Sequence, residues 1–335
     1  MKWSSREYLI AFNMVPGIGG RRLQALWRHF GSLAKAWCAS PEALLAVEGF
    51  GPKTVEMFVR ARASICPLEE ERWAKALNAQ IITMKDGEYP QYLHRLAVPP
   101  PVLYVRGTLP VEPGIAIVGT RRPSRVGIAQ AREFTKHLVA QGEVIVSGLA
   151  RGVDYFAHET TLLSQGRTVA VLGSNLGNLY PSEHRGLVER IVQQGAVVSE
   201  FSSRCPTVPG NFPRRNRIIA GFSKGVLVVQ AGAKSGALGT SDWALELGLD
   251  VWAIPGEISD PLRAGTNNLI KQGAHLVTSP QDLGVAKSLG DNHPLTVAKL
   301  FKEGLHVNEI ALRLNRPVAE IMAEISLLQV AGLGD

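Results

Sequence analysis

The chain has 335 residues, is 45% hydrophobic and carries a formal net charge of +7, so it can build a sizeable core and two or three domains. Its three cysteines, Cys38, Cys66 and Cys205, show no metal-ligand or CxxC spacing. This argues against disulfides and a zinc site and favours a reducing cytoplasm. The sequence contains neither an apolar run long enough to cross a bilayer nor a signal peptide. We therefore expect a cytoplasmic protein without membrane contact, whose basic balance suits nucleic acid.

Residues 1–75 are predicted to form an N-terminal helical domain with two similar turns. Val15-Pro-Gly-Ile-Gly-Gly20 and Val47-Glu-Gly-Phe-Gly-Pro52 each precede an apolar helical pattern, as in a helix-hairpin-helix. The glycines permit a tight turn and bring backbone N–H groups close to a phosphate. Arg21, Arg22 and Lys53 favour DNA binding by these turns. The alternative is a helical scaffold that keeps the turns without the contact.

Residues 79–285 are predicted to form an extended Rossmann domain. A proline-rich, extended segment runs from Tyr89 to Gly107, and strand and helix patterns alternate after it. This alternation predicts a doubly wound, mostly parallel α/β sheet. The predicted strands are Ile115–Val118, Val144–Ser147, Thr168–Leu172, Val197–Glu200, Gly225–Val229, Val251–Ile254 and His275–Thr278.

A basic cluster follows the first of these strands. Four arginines and no acid lie between Gly119 and Arg132. A strand, a Gly/Ser loop and a helix N-terminus form an anion site in open α/β sheets, because ligands lie outside the carboxyl ends of the strands. The predicted phosphate-binding residues here are Gly119, Thr120, Arg121 and Ser124, together with Ser147 and Gly148 after the next strand.

A second basic cluster lies in Asn211-Phe-Pro-Arg-Arg-Asn-Arg217. Between Phe201 and Gly225 there are five Lys or Arg residues and no acid, so the two clusters hold nine positive charges, more than the net charge of the chain. We expect Phe212 to stack on an unpaired base and Arg214 and Arg217 to clamp the backbone. Alternatively, Phe212 packs in the core, and Arg217 pairs with Asp154 or Glu200.

The loop Ser235-Gly-Ala-Leu-Gly-Thr240 raises an enzymatic alternative. It resembles the phosphate loop of nucleoside-monophosphate phosphoribohydrolases often described as lysine decarboxylase-like, but Trp243 stands where those enzymes have a glutamate. Neither a dinucleotide fingerprint nor a P-loop is present. Asp154 and His158 are either an acid–base pair, two metal ligands, or a helix cap and a locally bonded histidine. We expect the last, and therefore no catalytic residue, metal or cofactor.

Residues 292–335 show helical spacing in three short stretches with a turn at Asn315-Arg-Pro317. This pattern is typical of a small winged-helix-like domain. Arg313 and Arg316 are almost the only positive charges on its last two helices, and the sequence ends where a wing would begin. A protein-interaction or packing domain is an equal alternative to DNA binding.

Ordered motifs along nearly the whole chain resemble the DprA/Smf family of DNA-processing proteins in bacterial transformation. They include Ile117-Val-Gly-Thr-Arg121, Val146-Ser-Gly-Leu-Ala-Arg-Gly-Val-Asp154, Asn211–Gly221, Val251-Trp-Ala-Ile-Pro-Gly256 and Gly265-Thr-Asn-Asn-Leu-Ile270. The resemblance implies a sterile-alpha-motif-like N-terminal domain, an extended Rossmann domain and often a winged helix. It also implies a non-enzymatic protein that binds single-stranded DNA in a basic pocket, forms a homodimer and loads RecA.

The predicted single-stranded DNA site is completed by residues near both clusters. Beyond those named after the first two strands, it consists of Asn211, Phe212, Arg214, Asn216, Arg217, Lys234, Ser235 and Gly236. For the homodimer we expect the interface at Val251–Pro255 and the segment through Leu269 and Ile270, with Trp252 as its anchor. The alternative for Trp252 is an ordinary core position.

Overall fold

The computed structural model describes residues 3–284 and, further on, residues 305–307, 309, 310, 318, 321 and 322. Met1–Val285 form one compact unit and Ala286–Asp335 a second. The domain boundaries at residues 75, 79 and 285 remain a proposal. Among the described residues, no helix has the length and apolar character needed to span a membrane.

Six helices form the N-terminal part of the first unit. They are α1 Ser5–Met14, α2 Gly20–Phe30, α3 Leu33–Cys38, α4 Pro41–Leu45, α5 Pro52–Arg62 and α6 Pro67–Ala76. The helices predicted after the two glycine turns are α2 and α5, and they begin after Gly19 and Gly51. Arg22 joins the turns, because it donates to the carbonyl oxygens of Gly17 (2.7 Å) and Gly49 (3.1 Å). The aromatic rings of Phe12, Trp37 and Phe58 pack together at the centre of this part.

A nine-stranded, mostly parallel sheet forms the rest of the unit, with strand order β1-β2-β6-β5-β4-β3-β7-β8-β9. Pairing is antiparallel only between β1 and β2 and between β2 and β6. The strands are β1 Gln80–Thr83, β2 Val102–Gly107, β3 Gly114–Val118, β4 Ile145–Ser147, β5 Thr168–Val171, β6 Ala196–Ser199, β7 Ser223–Val228, β8 Asp250–Ala253 and β9 His275–Leu276. The seven predicted strands are therefore confirmed. The sequence patterns missed β1, which precedes the proline-rich segment, and β2, which forms its last part.

Helices cover both faces of the sheet. They are α7 Arg125–Ala140, α8 Val153–Leu163, α9 Arg185–Gln194, α10 Asn211–Gly221, α11 Leu238–Glu246 and α12 Ala264–Lys271. Alternate residues of β3 enter different cores, as strand geometry requires. Ile115 and Ile117 pack on one face with Phe134 of α7, whereas Ala116 and Val118 pack on the other with Ile218 and Ile219 of α10. Helix α10 therefore lies on the sheet face that carries Ala116 and Val118, packed on β7 and β5.

The structure corrects the predicted dimer anchor. Trp252 is only 7% exposed and belongs to the core cluster of Ile115 and Ile117. A Cβ atom on Gly225 would lie 2.2 Å from the Trp252 ring, so that glycine makes room for the indole within the sheet. Its strand β8 pairs with β7 on one side and β9 on the other. Leu269 is also buried. The core alternative for Trp252 is therefore the correct one.

The second unit is described at few positions. Val307, Glu309, Ile310, Val318, Ile321 and Met322 are helical, and Ile310 and Ile321 are buried, which agrees with the predicted spacing. The Asn315-Arg-Pro317 turn and the residues near which a wing was expected lie outside the described residues. The winged-helix interpretation remains a prediction.

Candidate nucleic-acid interface

A cleft of about 950 Å³ lies at the carboxyl ends of the parallel strands. We call it the main cleft. Loops after β3, β5, β6 and β7 contribute to its wall, together with the first turns of α8, α10 and α11. This is where the sequence predicted an anion site. Predicted residues that line it are Gly119, Thr120, Arg121, Phe212, Asn216, Lys234, Ser235 and Gly236.

The loop that carries Arg121 is fixed by its neighbours on both sides. The Thr120 amide donates to Gln230 O (2.7 Å), and the Val153 amide donates to Thr120 O (3.2 Å). A Cβ atom on Gly119 would lie 2.6 Å from the Val153 side chain, so only glycine allows this approach. Arg121 itself is exposed. Its guanidinium is thus a solvent-facing charge on a rigid loop.

Phe212 is half-buried in the wall of the main cleft. It packs across Gly173, whose added Cβ would lie 2.5 Å from the ring. The Tyr180 ring meets it edge-on at 5.4 Å between centroids, and the Arg121 guanidinium lies 5.5 Å from its centroid. The two alternatives for Phe212 were an exposed ring for base stacking and a ring packed in the core. The structure lies between them, because the ring packs on the sheet and also lines the cleft. Tyr180 is 40% exposed and provides a second aromatic surface.

A buried guanidinium lies at the base of the main cleft. Arg215 is 4% exposed and donates to Gly148 O at 2.6 Å and to Val171 O. Burial lowers its pKa to about 10, opposed by the charge of Asp154, so Arg215 remains a cation at neutral pH. An added Cβ on Gly148 would lie 2.6 Å from this guanidinium. Gly148 was predicted as a phosphate contact. In the structure, its lack of a side chain leaves the space in which the Arg215 guanidinium reaches the sheet.

Asp154 balances Arg215 rather than capping a helix. Helix α8 is capped by Gly152, and the Asp154 carboxylate accepts the amides of Gly148 (3.0 Å) and Ala150 (3.3 Å). Burial raises the pKa of this carboxyl, opposed by Arg215 and the two amides. The predicted cap is wrong because the chain before α8 folds back over the carboxylate. Asp154 is the only acid among the described residues that line the main cleft.

The loop after β7 forms the opposite wall. Lys234 is exposed there, and Ser235 and Gly236 follow it into α11. Asn216 donates its amide to Gly236 O at 3.0 Å, which ties α10 to this loop. Lys234 and Arg121 thus line the same cleft from the ends of adjacent strands.

The structure separates other predicted residues from the main cleft. Asn211, Arg214 and Arg217 line a second cavity of about 550 Å³, beside the turn between α1 and α2, which we call the hairpin groove. Arg217 forms an ion pair with Glu200 and donates to Val98 O at 2.8 Å, so its ion-pair alternative is the correct one. Asn211 donates to Pro206 O (2.9 Å) and closes the loop before α10.

Two predicted serines line neither cavity. Ser124 caps α7 by accepting the Gly127 amide at 3.1 Å, and its own amide donates to the Gln230 side chain at 2.9 Å. Ser147 is fully buried and donates to Ile117 O at 2.6 Å. Both hold the strand ends in place. Both hydroxyls bond within the protein, and their role as phosphate contacts stays a prediction.

The nine positive charges of the two basic clusters differ in whether a carboxylate pairs with them. Arg132 pairs with Glu159 and Lys224 with Glu143, as Arg217 does with Glu200. Within residues 3–284, no carboxylate lies within ion-pair distance of Arg121, Arg214 or Lys234. Free surface cations next to a cleft are what a polyanion requires. Neither Tyr180 nor Arg215 was predicted to have a role, although Arg215 stands within the quoted stretch Asn211–Gly221.

His158 is a buried, neutral histidine of α8. The Thr168 hydroxyl donates to Ile145 O at 2.7 Å and so accepts from His158 Nδ1–H at 2.7 Å. The other ring nitrogen is buried without a partner among the described residues. Burial, with smaller effects of His184 and Arg215, lowers the pKa of His158 to about 3. The local hydrogen bond expected from the sequence is present.

This histidine predicts acid sensitivity of folding. Because its pKa is about 3 in the folded protein and about 6.5 when exposed, the unfolded chain binds its proton first, and stability falls as pH decreases through that interval. Urea unfolding at a series of pH values should show a shallower acid slope for His158→Gln than for the unaltered protein. An identical slope would contradict the assignment, whatever the absolute stability of the variant.

A mostly parallel sheet with helices on both faces and a basic cleft at the carboxyl ends of its strands defines a Rossmann-type α/β protein. The sequence profile described as DNA recombination-mediator protein A matches residues 80–287. The chain is 41% identical over 286 residues to Protein Smf of Synechocystis, covering 84% of this chain and 72% of that protein. It is 38% identical over 205 residues to the DNA processing protein DprA of Bacillus subtilis, covering 60% and 69%.

Two solved structures are also similar. DNA processing protein A from Streptococcus pneumoniae superposes with a TM-score of 0.71 at 30% identity, covering 88% of this chain and all of that one. DNA processing protein A from Helicobacter pylori, described for its single-stranded DNA binding mode, gives a TM-score of 0.55 at 29% identity, covering 62% and 95%. The chain belongs to the DprA/Smf family of DNA recombination-mediator proteins.

Proposed function

We propose that the protein binds single-stranded DNA in the main cleft, without strong sequence preference, and acts in DNA processing during transformation. The observation that carries this proposal is the meeting of free cations, Arg121 and Lys234, with the half-buried ring of Phe212 in one cleft. Cations track a phosphate backbone, and aromatic faces accept any base. The single-stranded DNA binding described for the Helicobacter pylori relative supports it.

The salt dependence of binding tests the cationic part of this site. Arg121→Ala and Lys234→Ala should each weaken binding of a labelled oligodeoxythymidine and lower the salt slope by about 0.7, the value for one phosphate contact on a single strand. Anisotropy titrations at several salt concentrations measure both quantities. Arg190→Ala, which removes an exposed arginine from α9 outside both cavities, is the matched control. Unchanged slopes in both cleft variants would refute the site.

We further propose that the protein binds without turnover. A glycosidic hydrolase needs a carboxylate at the sugar, but the described acid in the main cleft, Asp154, is buried against amides. Trp243, at the position of the hydrolase glutamate, lines the hairpin groove instead. Incubation with nucleoside monophosphates should therefore release no free base by chromatography. Base release that disappears in Arg121→Ala would establish the enzymatic alternative.

Two partners complete the proposal. We infer a homodimer, because two linked clefts along one strand raise the effective concentration of the second contact. Strand β9 is the edge strand among the described residues, pairs there with β8 and exposes Leu276. It replaces Trp252 as the expected interface. Sedimentation at micromolar concentration tests the assembly.

We also infer that RecA receives the bound strand. Faster growth of RecA filaments on single strands that this protein has already coated would support this inference.

A further inference from the structure

The hairpin groove is formed where the first glycine turn meets α10. A Cβ atom on Gly20 would lie 2.4 Å from Val98, and one on Gly19 would lie 3.6 Å from the Arg214 guanidinium. Gln24 of α2 also bonds Ala97 O at 3.4 Å. The turn is therefore packed against the segment before β2, and Gly19 lies next to the Arg214 guanidinium of α10.

The charge in the hairpin groove is strongly positive. Its lining includes five arginines, Arg21, Arg22, Arg204, Arg214 and Arg217, and one acid, Glu200. Arg217 neutralises that acid. Arg22 and Arg204 donate to oxygens of Gly17, Gly49 and Ser64 in the turns between the N-terminal helices, and no carboxylate within residues 3–284 pairs with them. The resulting excess of positive charge favours an anion from outside the protein.

Two of the cations are free to meet such an anion. Arg21 and Arg214 are exposed, and within residues 3–284 neither has a carboxylate at ion-pair distance. The Phe201 ring, 5.6 Å from the Arg214 guanidinium, supports that side chain from one side. Trp243 is partly exposed in the same lining and offers an aromatic surface. The groove thus repeats the chemistry of the main cleft.

The two cavities lie on either side of one short ridge. Val208 lines both, Phe212 and Pro213 line the main cleft, and Asn211 and Arg214 line the hairpin groove. Adjacent residues of one helix therefore contact both spaces. A chain that leaves the main cleft past Phe212 needs to cross only the loop before α10 to reach Arg214.

We propose that the hairpin groove binds the continuation of the DNA single strand held in the main cleft, with Arg21 and Arg214 as its phosphate contacts. A flexible single strand can enter a concave groove of about 550 Å³, whereas a rigid duplex meets only its rim. Gly19 of the turn lies next to Arg214 of α10, so its backbone borders the groove beside the proposed phosphate contact. This inference rests on the proposed function, since it extends the same strand.

The experiment compares oligodeoxythymidines from about 4 to about 16 nucleotides, the range of site sizes for single-strand binding modules. Arg21→Ala and Arg214→Ala should bind the shortest ligands like the unaltered protein, yet lose the gain in affinity that longer ligands show. On the longest ligand each should lower the salt slope by about 0.7. Arg28→Ala, from the exposed last turn of α2 outside the groove, should match the unaltered protein at every length. Circular dichroism checks that each variant is folded.

The outcomes separate this inference from the proposed function. Arg121→Ala should weaken binding at every length. If it does and the two groove variants bind all lengths normally, the groove is no part of the strand path and the inference is overturned. If Arg121→Ala has no effect at any length, the main cleft proposal fails first. A groove effect on duplex but not on single strands would also overturn the inference, in favour of a duplex site.

Discussion

Replacing Arg215 with methionine is expected to lower the free energy of unfolding by about 3 to 5 kcal/mol, the cost of removing one member of a buried, charge-balanced set. The variant leaves Gly148 O and Val171 O without their donor and Asp154 without its balancing charge. Urea denaturation at neutral pH measures the loss. Because Arg215 reaches the ends of β4 and β5 from α10, weaker DNA binding should accompany it.

The pH dependence of this loss identifies its cause. Burial already raises the pKa of Asp154, and removal of Arg215 should raise it further. A carboxyl with a raised folded pKa destabilises the protein as pH rises through the interval above its unfolded value. The deficit of Arg215→Met should therefore be largest at neutral pH and shrink on acidification. The double variant with Asp154→Asn should recover part of it, and a deficit independent of pH would refute the charge argument.

Phe212→Ala should weaken single-stranded DNA binding by about 1 to 3 kcal/mol, the usual value of one stacked base. The Arg121 guanidinium lies near the ring, so a base stacks on the remaining aromatic surface or on the planar guanidinium above it. Phe212→Leu separates stacking from packing, because leucine still fills the space over Gly173 but offers no ring. Phe212→Tyr keeps the ring.

Fluorescence titrations with an oligodeoxythymidine of one length distinguish base stacking by the Phe212 ring from simple packing of the side chain. Stacking requires that the leucine variant bind as weakly as the alanine variant and the tyrosine variant bind almost normally. If leucine restores full affinity, the ring serves only to shape the cleft. Thermal unfolding of all three variants, without DNA, shows how much of each effect comes from lost packing against Gly173.

Periodicity and strand-end residues were enough to predict the parallel part of the sheet and the cleft at its carboxyl edge. The apolar run Ile115–Val118 with glycine after it can form little else. Strand β2 follows Pro99–Pro101 directly and was therefore predicted only as part of the extended, proline-rich segment. Strand β1 has only four residues, Gln80–Thr83, which is too short for a clear periodicity.

The division of the basic residues between two cavities was beyond the sequence. Arg214, Arg215 and Arg217 are close in the chain, yet helical geometry sends them to solvent, to the sheet and to Glu200 respectively. Which arginine is free depends on carboxylates and carbonyls that are distant in sequence. Ser147 shows the same effect, since a hydroxyl at a strand end resembles a phosphate contact until its partner, Ile117 O, is seen.

Helix α10 is held by three consecutive side chains that point in different directions. Arg215 bonds the ends of two strands, Asn216 bonds the loop after β7, and Arg217 bonds Glu200 and Val98 O. The helix therefore cannot tilt or slide without breaking contacts on several sides. DNA should meet Phe212 already in its bound position, so little ordering entropy opposes binding. We expect association to be fast and the free and bound backbones to be nearly the same.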